Sequence, residues 1–421
     1  MLARATYTLL WWLALPFLPL RLWWRGRREP GYRSHVGERF GRYAGAARAA
    51  GDDVLWIHAV SVGETRAVAP LVERIARERP RQTILLTHMT AAGRETGRVL
   101  FGNRVVQAWL PYDVPFAVER FLAHFDPRAG LLVETELWPN LAAAAARRRI
   151  PLLLVNARLS DRSARGYARI APLARPLLRS LRGIAAQTDA DAARLRALGA
   201  HDVVVTGNLK FDIDVAPDMI ERGRALRARF GADRPVIVLA STRDGEEALL
   251  LDALARASLP PRTLVVIVPR HPQRFGDVEQ LIASRGFAFA RRSDERPVEP
   301  DASVVVGDSM GEMHAYYAAA DVAFVGGSLL PLGGQNLIEP LAVGVPTLVG
   351  LHTFNFAQAA EAAVAAGAAR RVEDADALWQ AAADLLADDD EREAMRARAL
   401  AFVAAHRGAA ERMWAWLETQ I

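Results

Sequence analysis

The feature that most constrains this chain is a repeated alternation of short apolar runs with helical stretches through most of its 421 residues. The runs are apolar at successive positions, which is typical of parallel strands that helices cover on both faces. The alternation therefore predicts an α/β fold of doubly wound, Rossmann-like parallel sheets. The predicted strands are Val54–Ala59, Thr83–Thr87, Val105–Trp109, Gly130–Val133, Leu152–Val155, Gly183–Gln187, Val203–Thr206, Pro235–Ala240, Thr263–Val268, Phe287–Ala290, Ser303–Val306, Val322–Val325, Pro346–Val349 and Ala368–Val372.

The main break in this pattern lies between Gly207 and Pro235. Residues Asp212–Pro217 have the composition of a linker, and Asp218–Phe230 has the pattern of a helix. We therefore predict an N-terminal segment over residues 1–28, a first Rossmann-like domain over 29–215 and a second over 216–421. Because ligands of open parallel sheets bind beyond the carboxyl ends of the strands, we expect the site in a cleft where the two sheets face each other.

The N-terminal segment differs in kind from the rest. Residues Ala5–Leu20 carry no charge, but a helix of that length reaches only about 24 Å, against the roughly 30 Å of a bilayer core. The run continues to Trp24 if the Arg21 side chain extends to the membrane surface. The basic group Arg25–Arg28 follows it, whereas in a cleaved signal peptide the charge comes first. We expect a membrane anchor, spanning the bilayer or lying at its surface, with the remaining chain in the cytoplasm. The alternative is a buried N-terminal helix of a soluble protein.

Composition excludes several functions. The chain has no cysteine, which excludes disulfides, thiolate nucleophiles and cysteine-ligated metals. Its 53 basic residues exceed the acidic ones by 5, but they are almost all arginine and form no stripe interleaved with aromatic residues, so we expect no nucleic-acid partner. The histidines lack metal-binding spacing, and the pairs Asp189/Asp191 and Asp212/Asp214 lie at a helix start and in the linker. We therefore expect no metal and no cofactor.

Acidic residues follow two of the predicted strands in the first half. Glu64 comes after the first strand in Ser61-Val62-Gly63-Glu64, where a helix begins. The local pattern leaves two interpretations equally open: a general base, or a first-turn carboxylate that complements the helix dipole. Glu134 and Glu136 close another strand, and alternation points both side chains the same way if the strand continues.

Lys210 is the only lysine of the chain and lies in Gly207-Asn208-Leu209-Lys210-Phe211, just before the linker. All other basic side chains of the chain, apart from histidine, are arginine. A lysine here therefore indicates that a compact ammonium group is needed, with an anion as its partner. A surface position without function is the alternative.

Loops that follow strands in the second half are typical of a nucleotide site. They are Ser241–Glu247, Pro269–Pro272, Gly307–Met313, Gly326–Ser328 and Gly333–Glu339. Glycine-rich loops at helix starts hold phosphate through backbone amides, and an arginine such as Arg270 binds phosphate directly. Asn336 and Glu339, one helical turn apart, are candidates for ribose hydroxyls. These loops lack the G-x-G-x-x-G pattern of dinucleotide-dependent dehydrogenases.

Motifs along nearly the whole chain resemble those of the 3-deoxy-D-manno-oct-2-ulosonic acid (Kdo) transferases, membrane-anchored enzymes that add Kdo to the lipid A precursor. The matching segments are Arg21–Trp23, Gly37–Arg39, Ser61–Glu64, Leu110–Asp113, Glu134–Asn140, Asn156–Ser160, Gly207–Asp212, Val268–Pro272, Gly307–Glu312, Phe324–Ser328, Gly333–Glu339 and His352–Phe356. The chain departs from the usual family pattern at Leu351, Ile338 and the run Thr87–Thr90. The histidine in that run bears on acceptor preference.

The resemblance implies a glycosyltransferase-B type fold, with an acceptor domain followed by a donor domain. It implies metal-independent transfer of Kdo from CMP-Kdo to lipid IVA at the cytoplasmic face of the inner membrane, in lipopolysaccharide biosynthesis. Glu64 would be the proton acceptor, and Glu134 and Lys210 would assist catalysis. The nucleotide contacts, including those expected from the glycine-rich loops, would be Pro269, Arg270, Met310, Gly311, Glu312, Gly326, Gly327, Ser328, Asn336, Leu337, Ile338 and Glu339.

Two other functions remain open from the sequence. A transferase that uses a UDP-sugar on another lipid belongs to the same class of enzyme, and activity with CMP-Kdo separates the two. A membrane-tethered nucleotide-binding or scaffold protein without turnover belongs to another class. Removing the Glu64 carboxylate distinguishes it from a transferase, because only a transferase would lose activity. Oligomeric state and the number of Kdo residues added do not follow from the sequence.

Overall fold

The structure is a computed structural model that describes residues 2–44 and 53–421. Within those residues the chain alternates strands and helices, as the apolar pattern predicts. The strands are β1 Val54–His58, β2 Thr83–His88, β3 Val106–Trp109, β4 Ala129–Val133, β5 Leu152–Ala157, β6 Gly183–Ala186, β7 Val203–Val205, β8 Val236–Thr242, β9 Leu264–Pro269, β10 Phe289–Arg291, β11 Val304–Val306, β12 Val322–Val325, β13 Thr347–Val349 and β14 Ala369–Arg371.

The α-helices connect these strands and cover both faces of the sheets. They are α1 Leu2–Ala14, α2 Leu18–Arg28, α3 Val62–Ala67, α4 Ala69–Glu78, α5 Ala91–Phe101, α6 Pro115–Phe125, α7 Pro139–Arg147, α8 Asp161–Arg169, α9 Ala171–Ser180, α10 Asp189–Ala197, α11 Pro217–Phe230, α12 Glu246–Leu254, α13 Phe275–Ser284, α14 Met313–Ala318, α15 Ile338–Val343, α16 Ala357–Ala365, α17 Ala375–Ala387, α18 Asp389–His406 and α19 Ala409–Glu418.

Each of two compact units contains one parallel, seven-stranded sheet. The strand order is β3-β2-β1-β4-β5-β6-β7 in the first and β10-β11-β9-β8-β12-β13-β14 in the second. Every strand pair is parallel, and the central strands are buried on both faces, with a hydrophobic cluster on each side of the sheet. The predicted fold class, two α/β doubly wound domains, is confirmed.

The first strand of each unit lies where the sheet order reverses. β1 lies between β2 and β4, and β8 lies between β9 and β12. In open α/β sheets, the loops that leave the carboxyl ends of strands at this position line the ligand crevice. The loops after β1 and β8 therefore occupy the positions at which a ligand crevice is expected in each sheet.

The division between the units differs from the predicted one at the end of the chain. The first unit runs to Asp212 and also contains Arg407–Ile421, and the second is Ile213–His406. The last helix joins the first unit because Met413, Trp414 and Leu417 are buried in its core cluster. The Asp212 carboxylate also accepts the amide of Gly408 at 2.6 Å, at the start of α19.

The N-terminal segment forms two helices separated by a 3₁₀ turn at Leu15–Phe17. Leu18 and Leu22 are buried against Tyr32 and Tyr112 of the first unit. Among the described residues, no helix combines the length and apolar character that crossing a bilayer requires. A group of large apolar side chains on the two helices and the turn between them is exposed: Leu2, Leu9, Leu10, Trp12, Leu13, Phe17, Leu20, Trp23 and Trp24.

Candidate active site

The loop after β1 holds the Glu64 carboxylate in one orientation. Ser61 caps α3, and Glu64 lies in the first turn of that helix. Its Oε1 accepts a hydrogen bond from Ser61 Oγ at 2.8 Å, and its Oε2 accepts one from the backbone amide of Val60 at 2.7 Å. Each carboxylate oxygen has a second lone pair, so the group can still accept a proton from a bound hydroxyl. The side chain is half-buried.

The surroundings of Glu64 raise its pKa to about 7. Burial is the largest cause, followed by the charge of Glu134, while the hydrogen bonds from Val60 and Ser61 lower it and Glu136 raises it slightly. A general base works best when its pKa is close to the pH at which the enzyme operates. Glu64 therefore combines fixed geometry with a pKa suited to proton transfer, which the dipole interpretation alone does not require.

Glu134 and Lys210 form an ion pair in the first unit. Lys210 Nζ lies 2.8 Å from Glu134 Oε1, and both side chains are largely buried. Glu134 follows β4 and has a φ of 61°, a left-handed conformation that costs a residue with a Cβ roughly 1–2 kcal/mol. Its amide still donates to Val155 at 3.0 Å. Strain of this kind tends to collect at functional sites, and here it accompanies the pairing of Glu134 with Lys210.

The turn that carries Lys210 is fixed by asparagines. Asn156, buried near the end of β5, accepts the amide of Leu209 through Oδ1 at 3.1 Å. Asn208 accepts the amide of Lys210 at 3.0 Å. The structure thus brings Lys210 and Glu134 together, and the charge of Glu134 acts on Glu64.

Glu136 lies in the same acidic group. Burial raises its pKa to about 7, and the charge of Glu134 contributes to the rise. This residue is the second carboxylate that the sequence placed after β4. It is half-buried, and it is the third acidic residue of this region, since the charges of Glu134 and Glu136 both raise the pKa of Glu64.

In the second unit, Pro269 ends β9 and Arg270 follows it directly. The amide of Arg270 donates to Thr242 at the end of β8, at 3.0 Å. Pro269 is buried and Arg270 is half-buried. The backbone of Arg270 is therefore held at the carboxyl edge of two central strands.

The glycine loop after β12 uses its amides internally. Those of Gly327 and Leu329 donate to the Glu246 carboxylate at 2.6 and 3.1 Å. The Ser328 side chain is fully buried and donates to Val325. Gly326 packs against β8 so closely that a Cβ would lie 2.7 Å from Ser241 O. In this structure these amides are occupied by a carboxylate of the protein, where the sequence predicted a phosphate.

The segment Met310–Glu312 leads into α14. Met310 is exposed, and Gly311 has a φ of 80° with open space around it. Glu312 is 3.2 Å from Arg292 through Oε1, while its buried Oε2 has no hydrogen-bond partner among the described residues. The segment therefore contains one buried acceptor atom whose hydrogen-bonding capacity is unused among the described residues.

The segment Asn336–Glu339 begins α15. Asn336 Nδ2 donates to Glu339 Oε1 at 3.1 Å, and Asn336 Oδ1 accepts the amide of Ile338 at 3.1 Å. Leu337 and Ile338 are buried, whereas the two polar side chains are half-buried. The paired polar groups are the part of this segment suited to hydroxyl recognition.

Two residues of the second unit acquire importance only in the structure. Glu246 is fully buried and binds three backbone amides, the third from Arg243 at 3.0 Å. Arg243 lies in the loop Ser241–Glu247, which the sequence predicts at a nucleotide site, but the sequence pattern does not distinguish its side chain from its neighbours. Its place directly after a central strand is the signal that would have found it. Within the described residues no group of three acidic or histidine side chains is arranged to hold a metal ion.

Solved structures define the class of the fold. A glycosyltransferase from Rickettsia africae ESF-5 matches with a TM-score of 0.59 and 13% identity, covering 88% of this chain and 98% of that one. The UDP-GlcNAc 2-epimerase of Neisseria meningitidis matches with a TM-score of 0.59 and 15% identity, covering 87% and 100%. The fold is that of the glycosyltransferase-B class. A fold that serves both a transferase and an epimerase does not by itself set the reaction.

Sequence comparison defines the family. Residues 34–213 match the family model for 3-deoxy-D-manno-octulosonic-acid transferase (kdotransferase). The 3-deoxy-D-manno-octulosonic acid transferase of Bordetella pertussis is 46% identical over 423 residues, covering 98% of both chains. That of Haemophilus influenzae is 36% identical and covers 97% of both. The chain belongs to the Kdo transferase family, and the predicted resemblance is confirmed.

Proposed function

We propose that this Kdo transferase moves Kdo from CMP-Kdo to lipid IVA in lipopolysaccharide biosynthesis, without a metal, with Glu64 as general base. The observation that carries the proposal is the Glu64 carboxylate, fixed by two hydrogen bonds at the switch point of the first sheet, with a pKa of about 7. Family membership supports Kdo as the transferred sugar, and the geometry of Glu64 supports general-base catalysis.

In the proposed reaction, a hydroxyl oxygen of the acceptor forms a bond to the anomeric carbon of Kdo. The bond from that carbon to the phosphate oxygen breaks, and CMP leaves with the electron pair. Glu64 takes the proton of the attacking hydroxyl. A positioned base of this kind contributes about 10²–10⁴-fold to the rate. The anomeric carbon gains positive charge as CMP departs, which nearby carboxylates stabilise.

The remaining residues have supporting roles in this proposal. Lys210 and Glu134 act as a pair beside the base, and the negative charge of Glu134 raises the basicity of Glu64. In the second unit Arg270 would bind the phosphate, and Glu312 and the Asn336–Glu339 pair would bind the nucleoside through hydrogen bonds. Pro269, Met310, Gly311, Leu337, Ile338 and the Gly326–Ser328 loop would shape the donor site around them.

We further propose that the N-terminal helices attach the enzyme to the cytoplasmic face of the inner membrane. Apolar side chains are exposed on both α1 and α2, whereas Leu18 and Leu22 of α2 are buried against the protein, so the exposed side chains can enter the lipid. Arg21, Arg27 and Arg28 are exposed beside this face and favour an anionic surface.

The proposal is tested by incubating the full-length protein with CMP-Kdo and lipid IVA. We expect CMP release, and product masses that show whether one or more Kdo residues are added. Activity with a UDP-sugar and none with CMP-Kdo would refute the donor. Co-sedimentation with anionic and neutral vesicles tests the attachment, and failure to bind either kind would refute it.

A further inference from the structure

The buried Glu246 carboxylate changes which groups of the second unit are available to a phosphate. It accepts the amides of Arg243, Gly327 and Leu329 at 3.0, 2.6 and 3.1 Å. These amides come from the loops after β8 and β12, the two neighbouring strands at the switch point. Because a carboxylate of the protein already fills this group of donors, an incoming phosphate must be bound by other groups nearby.

Two arginines lie at the same edge of the sheet. Thr242 pairs with Pro269 in the register of β8 and β9, so Arg243 and Arg270 each follow one member of that pair on strands about 4.8 Å apart. The register is irregular between Ala240 and Thr242, and a local irregularity of this kind redirects the residues that follow it. The Arg243 side chain runs along the glycine loop, with Cγ 3.5 Å from where a Cβ of Gly327 would lie.

Charged side chains of both signs lie around this edge, and they differ in how they are paired. His271 follows Arg270, and its pKa is lowered first by burial and then by Arg243, Arg270 and Arg274. Arg274 is balanced by Glu247 at 2.8 Å and by Asp244 at 3.2 Å. The guanidinium of Arg243 has no carboxylate partner in the part of the chain that the structure describes.

We propose that Arg243 binds the phosphate of the donor nucleotide together with Arg270. This inference rests on the proposed function, in which the donor carries a cytidine monophosphate. A guanidinium presents parallel N–H donors that match two phosphate oxygens, and two arginines on adjacent strands can share one phosphate. The two arginine side chains thereby supply N–H donors to the phosphate, since the backbone amides of Gly327 and Leu329 already donate to Glu246.

The test compares ligands that differ only in the phosphate. Affinities for CMP and for cytidine are measured by calorimetry or competition on the full-length protein, along with the KM for CMP-Kdo. We expect Arg243→Gln to weaken CMP binding about tenfold, to raise the KM by a similar factor and to leave cytidine affinity unchanged. Arg243→Lys, which keeps the charge but loses the planar fork, should fall between. Arg256→Gln, at an exposed arginine paired with Asp376, is the matched control and should change neither affinity.

Several other results of these binding and kinetic measurements would overturn the assignment of Arg243. Unchanged CMP affinity in Arg243→Gln overturns the proposal. A higher KM with unchanged CMP affinity also overturns it and assigns Arg243 to the sugar carboxylate. Equal loss of CMP and cytidine binding, or the same loss in Arg243→Lys, indicates a structural role and overturns it too. If the wild-type protein binds CMP but transfers nothing, the proposed function fails while the affinity comparison still decides this inference. Wild-type protein that binds no CMP contradicts both.

Discussion

Glu64 and Glu246 occupy corresponding places in the two units and are used differently. Each lies in the first turn of the helix that follows the first strand of its sheet, and each strand lies where the sheet order reverses. Glu64 accepts hydrogen bonds from its own loop and stays half-buried. Glu246 is fully buried and also binds the loop of the neighbouring strand.

The difference shows that one local arrangement can leave a carboxylate partly exposed or enclose it completely. A carboxylate at this position becomes available for proton transfer when its partners leave lone pairs open toward solvent. It becomes a structural bridge when three amides surround it. Burial raises the pKa of both groups, so the pKa direction alone does not separate them. The two groups are separated by the number of backbone amides that each carboxylate binds and by the exposure of each side chain.

The largest expected effect is on activity after Glu64→Gln. The amide keeps the shape of the side chain but cannot take a proton, so we expect kcat to fall about 10²–10⁴-fold. Thermal unfolding should change little. The control is Glu73→Gln at an exposed glutamate of α4, which should retain full activity. Equal Kdo transfer by Glu64→Gln and wild type would show that Glu64 is structural, like Glu246.

The corresponding substitution in the second unit, Glu246→Ala, should act on stability. It leaves the amides of Arg243, Gly327 and Leu329 without their acceptor, which we expect to cost about 2–3 kcal/mol in the free energy of unfolding. Denaturant titration followed by fluorescence measures this loss. Glu361→Gln on α16 is the control, because that glutamate is exposed. An unchanged unfolding midpoint in Glu246→Ala would remove the contrast between the two glutamates.

The pH dependence sharpens the assignment of the base. A general base acts only when deprotonated, and the pKa of Glu64 is raised to about 7, so kcat/KM should fall about tenfold per pH unit below 7 and level off above it. Glu136 has a similar pKa, so the profile is also measured for Glu136→Gln. The acid limb should persist in that variant. Its disappearance there would assign the limb to Glu136.

The smallest expected effect is a shift of that acid limb in Glu134→Gln. Removing the neighbouring negative charge lowers the pKa of Glu64, so the limb should move to lower pH. We expect less than about one pH unit, because burial is the larger cause of the raised pKa. The shift is read from the residual kcat/KM of the variant. A limb that moves to higher pH would contradict the placement of Glu134 beside the base.

The fold was largely predictable from the sequence because it depends on local pattern. Apolar runs such as Val236–Thr242 are buried on both sides, and each predicted strand corresponds to a strand in the structure. The strand ends differ by at most two residues, where pairing with neighbours and not composition decides the boundary. The family resemblance was predictable for the same reason, since its motifs are contiguous.

Features that depend on distant residues could not be predicted in this way. The sequence selected Lys210 as an anion contact, but only the structure brings it to Glu134, 76 positions away. The sequence predicts phosphate-binding amides at Gly326–Ser328 because it cannot show that the Gly327 amide donates to Glu246 and the Gly326 amide to Ala240. The local pattern around Glu64, without the family resemblance, also leaves two roles open, because the influence of Glu134 on its pKa depends on how β4 and β1 pair.

The contact between Asp212 and the start of α19 has a consequence for how the protein is made. Residues 407–421 complete the core of the first unit, yet the ribosome produces them only after the entire second unit. Until then the surface that receives Met413 and Trp414 lies open on the nascent chain. The unit whose translation begins first is therefore the last to complete its hydrophobic core.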